Sequence, residues 1–161
     1  MADVRIVNAS PLIALAAIGL QDLLAKLSGR VIVPEAVVRE ILAGNASDPA
    51  RRLIEAKWGD RASEPEIAPA IHAWGLGAGE SSVIALALVT PVAEVILDDA
   101  PARRCARSFG LPVRGTVGVL LLAKKRGLVP SVKDRLLELK TNGFFIDDAL
   151  LDEAIRLAGE V

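Results

Sequence analysis

Short, almost wholly apolar runs alternate along the chain with longer segments that have helical periodicity. The strand-like runs are residues 4–7, 31–33, 94–97 and 111–113. Strands that are buried on both faces carry such continuous apolar runs, because helices cover both sides of their parallel sheet. We therefore predict an α/β fold of three layers, α/β/α, with a short parallel sheet in the middle. The length fits one domain over residues 1–161.

Polar residues before several helical segments predict where the helices begin. Ser10 stands before a proline, which predicts Ser10 as the N-cap of the first helix. Either Asp98 or Asp99 could cap the helix that follows the strand at 94–97. Residues 59–77 are rich in Gly, Pro and acids, and we predict an irregular connection there that contains one short strand.

Composition narrows the range of sites that the chain could carry. Hydrophobic residues make up 52% of the sequence, but only two Trp and three Phe are aromatic, which disfavours a nucleic-acid surface built on aromatic stacking. The single cysteine, Cys105, excludes a disulfide or a cysteine-based zinc site within the chain. We see neither a signal peptide nor an apolar run of about 18 residues, so we expect no membrane span and a cytoplasmic protein.

Charge is unevenly distributed, although the net charge is only −1. Residues 103–140 contain ten Lys or Arg residues and two acids, Asp134 and Glu138. This segment could hold phosphate groups while the rest of the chain supplies carboxylates. The alternative is an ordinary set of solvated helix faces.

Three polar residues directly follow two of the predicted strands. Asn8 follows the run at 4–7, and Asp98 and Asp99 follow the run at 94–97. The carboxyl ends of parallel strands meet at one edge of the sheet, where ligands bind. Each residue also has a simpler explanation: Asn is common in turns before helices, and one Asp could be a helix cap.

Two glutamates fall near apolar helix faces, where a lone carboxylate is costly. Glu80 shares its side of the helix predicted at 78–89 with Val83, Ile84 and Ala87. Glu40 lies near the apolar face of the helix that starts at Pro34. The alternatives are that Glu80 reaches back to the start of its helix and that Glu40 is partly exposed near a helix end.

Together these oxygen-bearing side chains predict a site for Mg²⁺ or Mn²⁺, since oxygen ligands suit both ions. Such an ion can activate water and stabilise charge on a phosphoryl group. This chemistry needs neither the single His72 nor Cys105 as a nucleophile. The glycines at 75–79 lack the Lys-Ser/Thr of a phosphate-binding loop, so we interpret them as a flexible helix entry.

Six segments, taken in order, resemble the motifs of the PIN-domain family. They are Ile6–Ile13, Val33–Ile41, Gly77–Glu80, Ile96–Asp99, Arg103–Arg104 with Gly110–Val113, and Gly115–Leu120. The likeness covers nearly the whole chain and is closest to short, single-domain bacterial and archaeal proteins related to toxins of the VapC type. The resemblance implies a PIN-like fold and a Mg²⁺- or Mn²⁺-dependent endoribonuclease. It also implies the toxin of a toxin–antitoxin pair, with a small antitoxin partner and a homodimer.

By the same resemblance, Glu40, Glu80 and Asp99 match acids that hold the metal, with Asp98 beside them. Ser10 and Thr116 match polar positions near the same pocket. We expect Arg103 and Arg104, the basic residues closest to the acids in sequence, to hold the RNA backbone. Asn8 departs from the family, since most PIN domains carry Asp there, and its neutral side chain should lower metal affinity.

The sequence leaves two alternatives open. Asn8 could mark a PIN fold that has lost catalysis and acts as a binding or regulatory protein. A metal-dependent phosphohydrolase that acts on small molecules would share the acids but would not need the basic segment.

Overall fold

The protein is described by a computed structural model that covers residues 2–161. Its strands are β1 (Val4–Val7), β2 (Arg30–Pro34), β3 (Asp60–Ala62), β4 (Ala93–Ile96) and β5 (Val113–Arg114). Its helices are α1 (Ala9–Ala17), α2 (Leu23–Ser28), α3 (Glu35–Ala43), α4 (Pro49–Glu55), α5 (Pro69–His72), α6 (Ala78–Leu88), α7 (Ala100–Ser108), α8 (Thr116–Lys125), α9 (Val132–Thr141) and α10 (Asp148–Leu157).

The five strands form one parallel sheet in the order β3-β2-β1-β4-β5. The chain moves outward from β1 to β3 on one side and then returns to place β4 on the other side of β1. Val7 at the end of β1 is therefore in register with Ile96 at the end of β4. The strand order reverses between these two strands, and ligand sites of open α/β sheets lie at such a point.

Helices cover both faces of this sheet, as the α/β/α prediction requires. Helix α6 packs against β1, β2 and β4 beside α3 and α7, while α2 and α8 pack against each other and against the sheet. All four residues of β1 and of β4 are buried, so the apolar runs of the sequence form the centre of the core. No helix within residues 2–161 is both long enough and apolar enough to cross a membrane.

One charged cluster crosses the middle of this apolar sheet. Arg5 of β1 is only 2% exposed and donates from Nε to Glu94 Oε1 of β4 at 2.9 Å. Arg114 of β5 reaches the same carboxylate at 3.2 Å. Burial lowers the pKa of Arg5, and the charge of Glu94 opposes that effect. The network ties together β1, β4 and β5, which are neighbours in the sheet.

Two local predictions need correction or extension. Ser10 is not the N-cap of α1, because the helix already starts at Ala9 and its N-cap is Asn8. The backbone carbonyl of Asn8 accepts the first helical hydrogen bond, from the amide of Leu12 at 3.3 Å. The connection at 59–77 contains the expected short strand, β3, but also the helix α5, with Pro69 in its first turn. A proline at that position is favourable because its missing N–H would have had no helical partner.

Candidate active site

The carboxyl ends of β1 and β4 place Asn8 beside Asp98 at one edge of the sheet. The amide of Asn8 donates to the carbonyl of Ile96 at 3.1 Å, which continues the strand pairing by one residue. A cavity of about 1000 Å³ opens at this edge. The predicted site residues that line it are Asn8, Ser10, Glu80, Asp98, Asp99 and Arg103. The edge predicted from strand ends therefore does gather most of these side chains.

Asn8 occupies the capping position of α1 but does not use its side chain as a cap. It is 3% exposed, and within residues 2–161 its Oδ1 has no hydrogen-bond partner. A buried acceptor without a donor costs about 1–3 kcal/mol. A role in a turn explains the backbone of Asn8 but leaves this oxygen unexplained.

Gly79, in the first turn of α6, marks how closely the candidate ligands approach each other. A Cβ atom at Gly79 would lie 2.9 Å from Asn8 Oδ1 and 3.5 Å from Glu40 Oε2. Oxygen atoms from β1 and α3 thus meet against the same point of the helix. Glycine at this position leaves the space between them free of side-chain atoms.

Glu80 follows directly and lines the cavity with a half-buried side chain. Its carboxylate folds back towards the start of α6, since Oε2 lies 2.6 Å from where a Cβ of Gly77 would be. The side chain of Glu80 therefore does reach back to the start of its helix. Yet α6 has no side-chain capping bond among the described residues, so the carboxylate oxygens are free to bind another group.

Glu40 was expected near the apolar face of its helix, but its side chain as a whole is exposed. One of its oxygens nevertheless turns towards Gly79. Partial burial raises the pKa of Glu40, and the negative charge of Glu80 raises it further. The two glutamates therefore repel each other, and a cation between them would relieve that repulsion.

Asp98 and Asp99 have different roles, and Asp99 is the one that caps the helix. Asp99 is the N-cap of α7 and accepts the amide of Ala102 on Oδ2 at 3.0 Å. Asp98 is instead held by Thr116, whose amide and hydroxyl each donate at 2.7 Å. Thr116 is fully buried, so it fixes Asp98 from the start of α8.

Of the two arginines expected near the acids, only Arg103 lines the cavity. Arg103 lines the cavity and donates from Nη1 to the carbonyl of Leu97 at 3.2 Å. Burial lowers its pKa, as does the charge of Arg107, while Asp98 opposes both. Arg104 is exposed and does not line the cavity.

The basic segment 103–140 is only partly available to bind phosphate. Four of its ten basic residues are engaged in ion pairs with acids: Arg114, Lys124, Arg135 and Lys140. The alternative of ordinary solvated helix faces therefore describes much of this segment. Arg103 remains the basic residue of the predicted pair that faces the cavity.

The acids do not form one closed carboxylate cage. In the part of the chain that the structure describes, no three His, Cys, Asp or Glu side chains come together closely enough to hold a metal ion. Asn8 Oδ1 and Glu40 Oε2 both approach Gly79 at the start of α6, and the charge of Glu80 acts on Glu40. Asp98 and Asp99 line the cavity together with Asn8 and Glu80.

The sequence interpretation missed the aromatic part of the cavity. Phe144 and Phe145, two of the three phenylalanines, line it between α9 and α10. The signal was an adjacent aromatic pair between a glycine turn and the capping Asp147 in a chain that is otherwise poor in aromatic residues. Composition averaged over the whole chain concealed this local concentration.

A search of curated proteins finds none that matches this sequence. A family model described as a PIN domain matches residues 4–160, nearly the whole chain. The parallel sheet, the strand order and the polar cavity where that order reverses agree with this match. The chain therefore belongs to the PIN-domain family, and its fold is of the nuclease type.

Proposed function

We propose that the protein is a metal-dependent endoribonuclease of the PIN type. The observation that carries this proposal is the oxygen of Asn8, which is buried, has no hydrogen-bond partner within residues 2–161 and faces the start of α6. The negative charges of Glu40 and Glu80, which repel each other, lie near the same helix start. Neutral and anionic oxygens in this arrangement are unfavourable until a cation joins them.

The residues fit a hard divalent cation, Mg²⁺ or Mn²⁺, held by Asn8, Glu40 and Glu80. PIN domains generally depend on divalent metals, and an oxygen-only donor set suits these two ions. When bound, such an ion supplies positive charge that lowers the pKa of water and stabilises charge developing on a phosphoryl group.

Other side chains of the chain position the substrate and the reacting groups. Arg103 presents a guanidinium to the cavity, where it can hold a backbone phosphate. Asp98 is fixed by Thr116 and can orient an incoming water by accepting its proton in a hydrogen bond. Asp99 caps α7 and so keeps the segment that carries Arg103 in place.

The resemblance to VapC-type toxins supports further detail. We propose that the protein acts in the cytoplasm as the toxin of a toxin–antitoxin pair, as a homodimer that a small antitoxin protein binds. This part of the proposal depends on the motif likeness, and a test for co-purification with the product of a neighbouring small gene addresses it.

One observation favours a second candidate, a PIN-fold binding protein with weakened catalysis. Asn8 is neutral where most family members carry Asp, and the acids described here do not close into a group of three. Such a protein would bind RNA or a partner but cleave RNA slowly or not at all. Restoring the charge with Asn8→Asp separates the two candidates.

The test measures RNA cleavage with Mg²⁺ or Mn²⁺ by the wild type, Glu80→Gln and Glu66→Gln. Glu80→Gln removes one charge from the cavity, whereas Glu66 is exposed and does not line it. We expect the loss of a metal ligand to lower the rate at least 10- to 100-fold, while the control keeps wild-type activity. Equal activity of Glu80→Gln and the wild type would refute the proposed site.

Asn8→Asp completes the design. If the wild type is inactive and Asn8→Asp cleaves RNA in a metal-dependent way, the protein is the weakened binding form. If the wild type already cleaves RNA and binds Mn²⁺ in calorimetry, Asn8 is a working neutral ligand.

A further inference from the structure

The cavity at the sheet edge has two chemically different halves. The carboxylates and Arg103 come from the end of β4, α6 and α7, whereas the apolar side chains come from α1, α8, α9, α10 and the turn before α10. The apolar lining includes Ile13, Ala17, Val117, Leu139, Phe144 and Leu150. The proposed metal and phosphate chemistry uses none of these residues.

Phe145 also belongs to the apolar lining and is 86% exposed. Its neighbours are anchored: Phe144 is half-buried against the core, and Ile146 is 3% exposed. The turn is fixed by Gly143, whose φ of +90° ends α9, and by the amide of Phe144, which donates to the carbonyl of Leu139 at 2.9 Å. Phe145 is therefore an exposed ring presented from a well-held segment.

Such exposure brings no stability to the fold, since most of the ring stays in water. A single exposed apolar residue needs no special role. Phe145, however, shares a cavity with the six apolar side chains named above and with the acids, and it is one of only three phenylalanines. A ligand that has a flat apolar part close to a charged part would contact both Phe145 and the charged residues of the cavity.

We propose that Phe145 stacks on an unpaired base of single-stranded RNA whose backbone runs past Arg103 and the acids. This inference rests on the proposed function, and it assigns Phe145 as the residue that contacts a base. An RNA strand offers an apolar ring and a phosphate within one nucleotide, which matches the two halves of the cavity. Paired bases in a duplex have their faces covered by neighbouring bases and cannot stack in this way.

The charge distribution favours this occupant over a second protein chain. A protein partner on Phe145 would bring apolar side chains next to the carboxylates and Arg103, all of which would lose water. A nucleotide instead offers its phosphate to Arg103 and its base to Phe145. Stacking of a base on an aromatic side chain also tolerates any base, so the contact provides affinity without strict sequence choice.

The experiment measures binding of a short fluorescent single-stranded RNA in EDTA by fluorescence anisotropy. The variants are Phe145→Ala, Phe145→Trp and the control Leu157→Ala. Leu157 is 58% exposed and lies on α10 outside the cavity. We expect Phe145→Ala to weaken binding roughly 5- to 150-fold, while Phe145→Trp and Leu157→Ala retain wild-type affinity.

A second RNA of equal length with abasic nucleotides keeps the phosphates but lacks the bases. Phe145→Ala should bind this probe as well as the wild type does. Unchanged affinity of Phe145→Ala for the normal strand, or an equal loss on the abasic strand, would overturn the stacking proposal. So would a wild type that binds no single-stranded RNA, or a dimer in sedimentation that Phe145→Ala dissociates without affecting RNA binding.

Binding in EDTA and cleavage with metal are separate readouts, so the two proposals can fail independently. Wild-type cleavage combined with unchanged binding by Phe145→Ala would overturn the stacking inference alone. Phe145-dependent binding without any metal-dependent cleavage by the wild type would overturn the enzyme proposal and leave the stacking inference standing.

Discussion

Thr116 holds both carboxylate oxygens of Asp98, with its amide on Oδ1 and its hydroxyl on Oδ2, each at 2.7 Å. The contact links the end of β4 to the start of α8 across β5. Space for it depends on Gly115, because a Cβ there would lie 3.0 Å from Asp98 Oδ1 and would overlap Arg103 Nη1. The sequence Gly115-Thr116 therefore sets the position of an acid that is 18 residues away in sequence.

Thr116→Val removes the hydroxyl and keeps the shape of the buried side chain. We expect a loss of about 1–2 kcal/mol in the free energy of unfolding, because Asp98 Oδ2 loses its donor and water can replace it only in part. RNA cleavage should fall further in Thr116→Val than in Thr116→Ser, which keeps the donor. Urea unfolding and metal-dependent cleavage measure the two effects.

Thr90→Val is a matched control, since the hydroxyl of Thr90 donates to the carbonyl of Leu86 at the other end of α6. It should change stability slightly and leave cleavage intact. If Thr116→Val cleaves RNA at the same rate as the Thr90→Val control, Thr116 does not position a functional acid.

Much of the fold was predictable because its strands and helices depend on local patterns of apolar and polar residues in the sequence. The strands at 4–7 and 94–97 are mostly apolar runs, and hydropathy predicts their burial except at Arg5 and Glu94, which are buried as an ion pair. The end of each run also located Asn8 and Asp98 at one edge of the sheet. Helix starts were less predictable: Asn8, not Ser10, is the N-cap of α1, because only this one residue separates the end of β1 from the helix.

The internal arrangement of the site could not be read from the sequence. Whether Asp98 or Asp99 caps α7 depends on Thr116, which competes for one of them from a distant part of the chain. The exposure of Glu40 depends on how α3 packs against α6, which helical periodicity does not specify. The pairing of basic residues in the 103–140 segment likewise depends on contacts with distant acids such as Glu160.

Glu40→Gln should make the metal-free protein slightly more stable, by a few tenths to about 1 kcal/mol. The change removes the repulsion between Glu40 and Glu80 that helps to raise the pKa of Glu40. Mn²⁺ should then stabilise the wild type more than the variant, because the wild type binds the ion more tightly and binding to the folded state adds to stability.

Thermal unfolding with EDTA and with Mn²⁺ measures this difference. Glu35→Gln, in the first turn of the same helix, is the control and should respond to Mn²⁺ like the wild type. An identical Mn²⁺ response in Glu40→Gln and the wild type would show that Glu40 is not a ligand.

Glu94→Ala should be among the most destabilising single changes in the sheet. It leaves Arg5 buried without its partner, and Arg5 Nη1 already has no hydrogen-bond partner in residues 2–161. Removing one member of a buried ion pair costs about 3–5 kcal/mol. The double variant Arg5→Met with Glu94→Met should recover most of that loss, because no buried charge remains uncompensated.

Urea unfolding of the wild type and the two variants checks this expectation. A double variant that is no more stable than Glu94→Ala would indicate that the network is required for strand register and not merely for charge balance.

Glu160, next to the chain end, holds the start of α9. Its carboxylate accepts hydrogen bonds from the amides of Val132 and Lys133, at 2.7 and 3.1 Å, and from the hydroxyl of Ser131 at 3.1 Å. Lys124 lies 3.3 Å away. Burial alone raises the pKa of Glu160, but these donors outweigh it and bring the pKa to about 2, from an ordinary value of 4.5.

The folded state therefore binds a proton at Glu160 less readily than the unfolded state does. The resulting stability, roughly 1–2 kcal/mol after allowance for solvent screening, is present above pH 4.5 and is lost as the pH falls towards about 2. Glu160→Gln should lower the free energy of unfolding at pH 7 by that amount and flatten its dependence on pH between 4.5 and 2. Urea unfolding across this range is the measurement, with Asp152→Asn as a control because Asp152 is on the exposed surface of α10. A pH profile of Glu160→Gln that is parallel to that of the wild type would show that this carboxylate does not hold α9 to the chain end.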